Sequence, residues 1–508
     1  MIEVVKKWHY WAIGFIILNI FLSLRWLIND DIRFDVDISR DFLLIKEIIT
    51  QKPITLIGSH TSISGVFHGP LWYYLNVPAF FISSGNPVLI GWFWWGLSIL
   101  TLAIIYFISL KLFNKSTALL ATLLYSANSI INPNYGLKMF FPPYGAVMLF
   151  PIFFYLFIQY IFNKKVKYLA FAILILGFII QFEMAFGIPI LGLMVLFLVY
   201  FLSSRKLLKH FLILPLIFLP LSTFIIFEIR HNFLQIQSLI GYFESQLGKN
   251  QLNLYMIFID KIRGIFTDTF FLLMQDNRSL SWTYSILFVI LISRIKSPLK
   301  KIYWMFLFFY LGYWVIHLSL KPLWSSYYWP LLTVIIILYA GFINFFSKKI
   351  FILFFIPLLL WNMYIGLKYI KDFEMNVSVR GKNSWAFNEL IARTVFEDAD
   401  SDFGYFIFMP ERWVFQGWYA LDFLQSQYPQ RKAHPFAKQK LTYLIIYDSP
   451  KDYQDPISMG WRITDLKITQ KPKENKRIGN VEIQKYYLSE EELRLPVNPY
   501  LLNSTFFR

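Results

Sequence analysis

Asp35, Asp37, Arg40 and Asp41 follow closely on an apolar run, WAIGFIILNIFLSLRWLI at 11–28. Arg40 is three residues from Asp37, and Asp41 is four. On one helical turn such groups are neighbours. An ionised Asp there can take a proton as a general base, and a guanidinium beside it can neutralise a phosphate or hold the carboxylate in place. The simpler reading is that juxtamembrane charges mark where a helix leaves the lipid. A carboxylate with an ordinary pKa of about 3.9 is a weak base, so apolar surface or a second carboxylate would have to raise it.

The elements that position these groups belong to a membrane chain. Of 508 residues, 57% are hydrophobic, 20% aromatic and only 16% charged, against about 25% charged in an ordinary soluble domain. The net charge of +17 sits largely in short turns between apolar runs, which marks membrane orientation rather than a nucleic-acid face. There is no cysteine, which removes disulfides, thiolate nucleophiles and thiolate metal sites. Lys6 and Lys7 precede the first apolar run and no small-residue cleavage site follows it, so it reads as a retained transmembrane helix.

Eleven stretches are apolar enough to span: 8–28, 88–110, 117–132, 142–162, 167–183, 186–202, 211–228, 280–294, 302–320, 326–346 and 350–370. Every second turn is basic, as in NKKVK (163–167), SSRKLLK (203–209) and RIKSPLKK (294–301). The alternate turns hold nearly all the acidic residues. This alternation predicts a cytoplasmic N-terminus and an external C-terminus in the plasma membrane. The expected fold is an all-α polytopic membrane module, 1–370, followed by a small extracytoplasmic α/β domain, 371–508. The module carries two long external loops, 29–87 and 229–279. In the tail, FGYFIFM (403–409) and LTYLIIYD (441–448) read as strands and WYALDFLQSQY (418–428) as a helix between them. RDFLLIKEIITQ (40–51) reads as a helix lying in the membrane interface.

The first external loop resembles that of GT-C membrane glycosyltransferases, in particular the dolichyl-phosphate-mannose–protein mannosyltransferase-like and aminoarabinose transferase-like families. Four motifs carry the resemblance: Asp37/Arg40/Asp41, Gly58/Thr61/Ser62, Gly69/Pro70/Leu71/Tyr73/Tyr74 and Gly85/Asn86/Pro87. It covers the first 90 residues and continues more thinly through NPNYGLKMFFPPYG (132–145), IIQFEMAFGIP (179–189) and FEIRHNF (227–233). It implies transfer of a sugar from a polyprenyl-phosphate donor to an acceptor hydroxyl on the external face, with inversion and a loop-one Asp as base. Asp37 aligns with the leading Asp of the pattern. Asp35 is the alternative, since Asp35-Val-Asp37 has the spacing of metal-dependent members, and Asp41 would orient base or acceptor.

The donor phosphate needs cations, for which Arg40, Arg230, His231 and Lys138 are candidates. Arg230 and His231 read equally as residues snorkelling at the rim. His68, Tyr73, Tyr74, Glu183 and Glu228 would line the substrate cavity. Glu183 stands in an apolar hairpin where related sequences often show His; it contacts the acceptor or pairs with Lys138. With no Cys and no His-x-x-x-His, no metal site is expected, although Asp35, Asp37, His60 and His68 could supply ligands to a divalent cation. No cofactor and no nucleic acid are expected. The expected partners are the lipid-linked donor, membrane lipids and an acceptor that is lipid, glycan or protein. A transporter or flippase for lipid-linked sugars, an O-antigen-type ligase or polymerase, and a non-catalytic scaffold are the competing readings.

Overall fold

A computed structural model describes residues 8–130, 141–249, 259, 262–275, 277–317, 325–372, 376–410, 413–448, 460–499 and 501. Its helices are α1 (Trp8–Ser23), α2 (Val36–Thr50), α3 (Leu71–Ile82), α4 (Pro87–Leu112), α5 (Lys115–Tyr125), α6 (Pro143–Asn163), α7 (Val166–Phe182), α8 (Met184–Arg205), α9 (Ser222–Arg230), α10 (Leu234–Lys249), α11 (Arg278–Arg294), α12 (Lys300–Ile316), α13 (Trp329–Gly341), α14 (Lys348–Asp372), α15 (Trp385–Asp398) and α16 (Phe415–Leu424). Contacts divide the chain into two compact units. The first comprises 1–25, 54–75 and 94–370; the second comprises 26–53, 76–93 and 371–508. The second unit therefore includes most of loop one, which the sequence boundary at 370 had grouped with the spans.

In the first unit, every residue of α13 is buried. A helix apolar on all sides is a central one, and α13 packs against α5 and α6. Among the described residues six helical segments are long and apolar enough to cross a membrane: Trp8–Ile28, α4, α6, α8, Ser325–Asn344 and Lys348–Lys368. Leu208–Phe218 and α9 form a seventh crossing only as a pair, bent by 65°. Pro220 lies in the break between them, where a missing N–H interrupts the ladder. The segments predicted at 167–183, 280–294 and 302–320 correspond to α7, α11 and α12, each 17 residues long. That at 117–132 corresponds to α5 and a π-helical turn, Ser126–Ile130.

The second unit is built on a five-stranded sheet, β1 (Phe403–Phe408), β2 (Ala433–Pro435), β3 (Leu441–Ile446), β4 (Glu474–Ile478) and β5 (Val481–Tyr487), in the order β2-β1-β3-β5-β4. β1 runs parallel to β2 and β3, while β5 is antiparallel to both β3 and β4. The predicted strands at 403–409 and 441–448 are β1 and β3, and the predicted helix begins three residues earlier, as α16. α2 packs on α16. Ile38, Phe42, Leu43, Leu44, Ile45 and Ile48 of α2 are all buried. Phe42 meets the Tyr419 ring at 5.1 Å and the Phe80 ring at 5.7 Å. The expectation of an interfacial helix is thus corrected, because the apolar face of α2 is covered by protein.

Candidate active site

The carboxylate cluster is organised from the start of α2. Asp35 is its N-cap, with Oδ1 accepting from Ile38 N at 3.1 Å, the standard way of satisfying a first-turn donor. Asp35 Oδ2 pairs with Arg33 Nε at 3.3 Å. One turn on, Arg40 divides its guanidinium between two carboxylates. Nη1 lies 2.9 Å from Asp37 Oδ1, while Nη2 and Nε lie 3.0 and 3.2 Å from Asp41 Oδ1. The Arg40 and Asp41 side chains are 9% and 3% exposed, whereas Asp37 is 49% exposed. Asp37 is thus the member of the triad that presents its carboxylate outward, held from behind by a buried cation.

Two of the predicted residues have their side chains engaged in this geometry. Asp35 is engaged as a helix cap, and Asp37 is the more exposed of the two carboxylates. Arg40 is flanked by two carboxylates, and Arg33 and Arg40 together face Asp35, Asp37 and Asp41. The cluster is negative by one charge when all five are ionised, and the Arg40 guanidinium is shared between Asp37 and Asp41.

Burial pushes the Asp35 carboxyl above the usual range; Arg33 opposes the shift and the Asp37 charge adds to it. Asp31 is also raised, by burial, against hydrogen bonds from Ser384, Ala386 and Arg380. A carboxyl raised on folding binds its proton more tightly in the folded state, so its contribution to stability is lost as pH rises from the unfolded value, about 3.9, through the folded one. These two groups are expected to make the second unit less stable across that window. Thermal melts of Asp35→Asn that show an unchanged or steeper loss with rising pH would refute this for Asp35.

In the first unit, Tyr73 donates to Ser59 Oγ at 2.9 Å and accepts from Ser59 N at 3.2 Å. The Tyr74 hydroxyl accepts from Thr55 N at 2.7 Å and donates to Thr55 O at 3.0 Å. Both tyrosines staple the loop 55–59, and Tyr73, predicted to line a substrate cavity, has no exposed surface. His68 lies in the same loop, its N–H donating to Ser59 O at 2.9 Å. Next to it, Gly69 N donates to Gln181 O at 3.2 Å. A Cβ on Gly69 would come within 2.0 Å of Gln181 Oε1, so glycine is required for this approach. Phe67 N donates to Gln235 Oε1 at 2.9 Å.

The structure thus brings the His68 loop against the Gln181–Glu183 turn and α10. Glu183 is the single residue between α7 and α8, closing one helix and capping the next. It is 1% exposed; Oε1 accepts from Ala185 N at 3.1 Å, and Oε2 has no hydrogen-bond partner among the described residues. Glu228 caps α10, its two oxygens accepting from Gln235 N at 3.2 Å and Ile236 N at 3.3 Å, which makes it structural. Arg230 and His231 are exposed. His231 donates from Nδ1 to Phe227 O at 2.9 Å and stacks on the Phe227 ring at 4.1 Å. Lys138 lies outside the described residues.

No protein-family model and no curated protein sequence matches the chain. Solved structures do. ArnT from Cupriavidus metallidurans bound to undecaprenyl phosphate superposes with a TM-score of 0.60 over 97% of this chain and 99% of that one, at 10% identity. Its apo state gives 0.59 over 95% and 98%, at 8% identity. The Archaeoglobus fulgidus oligosaccharyltransferase in the apo form gives 0.43 over 84% and 65%, at 14% identity. The chain has the GT-C fold.

Within that GT-C frame, sequence reasoning passed over Asp31. It is fully buried, and its Oδ2 accepts from Ser384 Oγ at 2.6 Å and Arg380 Nη1 at 3.1 Å. Oδ1 accepts from Ala386 N at 2.9 Å and Ile32 N at 2.8 Å. Three of its partners, Arg380, Ser384 and Ala386, lie some 350 residues away in the chain, so no local spacing could reveal them. Among the described residues no three Asp, Glu or His side chains come together as a metal site.

Proposed function

We propose that this chain is an integral-membrane glycosyltransferase that moves a sugar from a polyprenyl-phosphate donor to an acceptor hydroxyl on the external face. The observation that carries the reading is the half-exposed Asp37 carboxylate clamped by Arg40. In support, the whole chain has the fold of a protein whose structure holds undecaprenyl phosphate.

The step balances simply. Asp37 takes the proton of the acceptor hydroxyl as the oxygen bonds to the anomeric carbon. The bond from that carbon to the phosphate oxygen breaks, its electron pair leaves on the polyprenyl phosphate, and attack from the opposite face inverts the configuration. Arg40 holds the base in register. Arg230 and His231, both exposed, remain candidates for the donor phosphate. The chemistry is metal-independent in this reading, so transfer should survive EDTA.

The test is purified protein in lipid with a panel of polyprenyl-phosphate sugars, following release or transfer of labelled sugar. Absence of both across the panel, from folded protein, would overturn the proposal and favour a transporter or scaffold. Glu183→Gln keeps an oxygen for the Ala185 cap but removes the buried carboxyl group. We expect it to raise the acceptor KM about tenfold, the order of one lost hydrogen bond, with the melting temperature unchanged. An unchanged KM would reduce Glu183 to a helix cap.

Eleven crossings, a cytoplasmic N-terminus and an external α/β unit belong to the same proposal. Because the chain has no cysteine, Ser401→Cys at an exposed position should be labelled in intact cells by a membrane-impermeant maleimide. Labelling only after lysis would reverse the orientation.

A further inference from the structure

We infer that the α/β unit is a positioning device for the loop-one carboxylates, with Arg380 as a positioning residue that acts through Asp31; the catalytic half of this inference rests on the glycosyltransferase reading. Three attachments, all inside the second unit, carry it.

The first is the Asp31 anchor. A carboxylate with no exposed surface is costly to bury and needs several donors. Asp31 has them from one short stretch of the tail: Arg380, Ser384 and Ala386. The second is backbone pairing over the residues that follow. Phe34 N donates to Asn383 O at 2.8 Å and Trp385 N to Ile32 O at 3.1 Å, about a bridge between Arg33 and Ser384. This extended segment runs directly into Asp35, the cap of α2, and Asp37 stands in the first turn. The third is on the second half of α2, where Lys46 pairs with Asp422 of α16 and Phe42 packs on Tyr419.

Packing alone would hold α2 against the tail but would tolerate small slides and rotations. A buried ion pair with fixed donors selects one register, which is the best-attested use of such groups. Register matters because a shift of about 1 Å in a reacting group can cost about a hundredfold in rate. Arg380 suits the test. It ends a four-residue helix, Val377–Arg380, it supplies charge to Asp31, and it takes no part in the cap that Ser384 makes for α15.

The experiment uses the full chain in lipid nanodiscs, comparing wild type, Arg380→Met and Arg380→Lys. Hydrogen exchange is followed at the amides of 32–40 and of β3, alongside donor and acceptor kinetics and melting. The expected result for Arg380→Met is exchange at 32–40 faster by about tenfold or more, with β3 protected as before. Its kcat should fall by roughly ten- to a hundredfold with both KM values within about twofold, and Arg380→Lys should recover much of both. Unchanged exchange at 32–40 would overturn the inference. So would loosening of 32–40 and β3 together with a lower melting temperature, since that is the signature of a merely structural residue. If the wild type transfers no sugar, the proposed function fails separately, and local loosening without loss of β3 protection still sustains the anchoring of α2 by Arg380.

Discussion

Asp37→Asn is expected to lower sugar transfer by about 10²–10⁴-fold, the usual range for loss of a general base, while expression, folding and melting stay as in the wild type. Asp37 is half exposed, so its removal leaves no hole, and Asn can still accept a hydrogen bond from Arg40 Nη1. What it cannot do is take a proton. The loss should fall in kcat rather than KM, because the proton moves only as the bond to the sugar forms. Asp37→Glu, with its longer arm, should retain some activity. Initial rates with a saturating labelled donor decide it: an Asp37→Asn enzyme within about threefold of wild type would remove the base from Asp37, with Asp35 the next to test.

The second large effect is on stability. Arg40→Met is expected to cost about 3–5 kcal/mol, the range for breaking a buried ion pair from one side. The Asp41 side chain is 3% exposed and would lose the guanidinium that now faces it. Asp37 would lose its brace as well, so activity should collapse alongside stability. The informative comparison is Arg40→Lys. A lysine restores one positive charge but has no planar fork to serve Asp37 and Asp41 together. It should recover part of the stability and little of the activity. Denaturation followed by tryptophan fluorescence, with parallel rate measurements, separates the two. A fully active Arg40→Lys protein would show that charge alone suffices.

The apolar runs and the motif Asp37/Arg40/Asp41 made the fold and the candidate base legible because both depend on local order. Hydropathy over about 20 residues marks a crossing, and spacings of three and four mark a shared helical turn. β1 and β3 were legible because their short runs are rich in aromatic and β-branched residues. β5, VEIQKYY, was not. It buries Glu482, Gln484 and Lys485, which is tolerable only because Glu482 and Gln484 bond each other and their neighbours Asn475 and Tyr486, while Lys485 pairs with Asp398. Nothing in that heptapeptide signals a buried strand. The bonds that engage Tyr73, Tyr74 and Glu228 were illegible for a related reason. Their residue types suit a substrate cavity, but which partner satisfies a hydroxyl or carboxylate is decided by tertiary neighbours. For Arg40 both a phosphate partner and a brace for the carboxylate were legible from the spacing, and the structure shows the guanidinium paired with Asp37 and Asp41.

The pairing of Asp31 with Arg380 joins residues 349 apart in the chain, and that distance sets a timetable. A ribosome adding about 5–20 residues per second needs roughly 20–70 s to make the second partner after the first. Through that interval Phe34 and Phe42 have been synthesised but lack Trp385 and Tyr419, the rings that will cover them. Newly made loop one therefore spends that interval with this aromatic surface uncovered. A nonsense codon anywhere before 380 would leave it permanently uncovered, an early target for quality-control proteases however well the membrane helices had inserted.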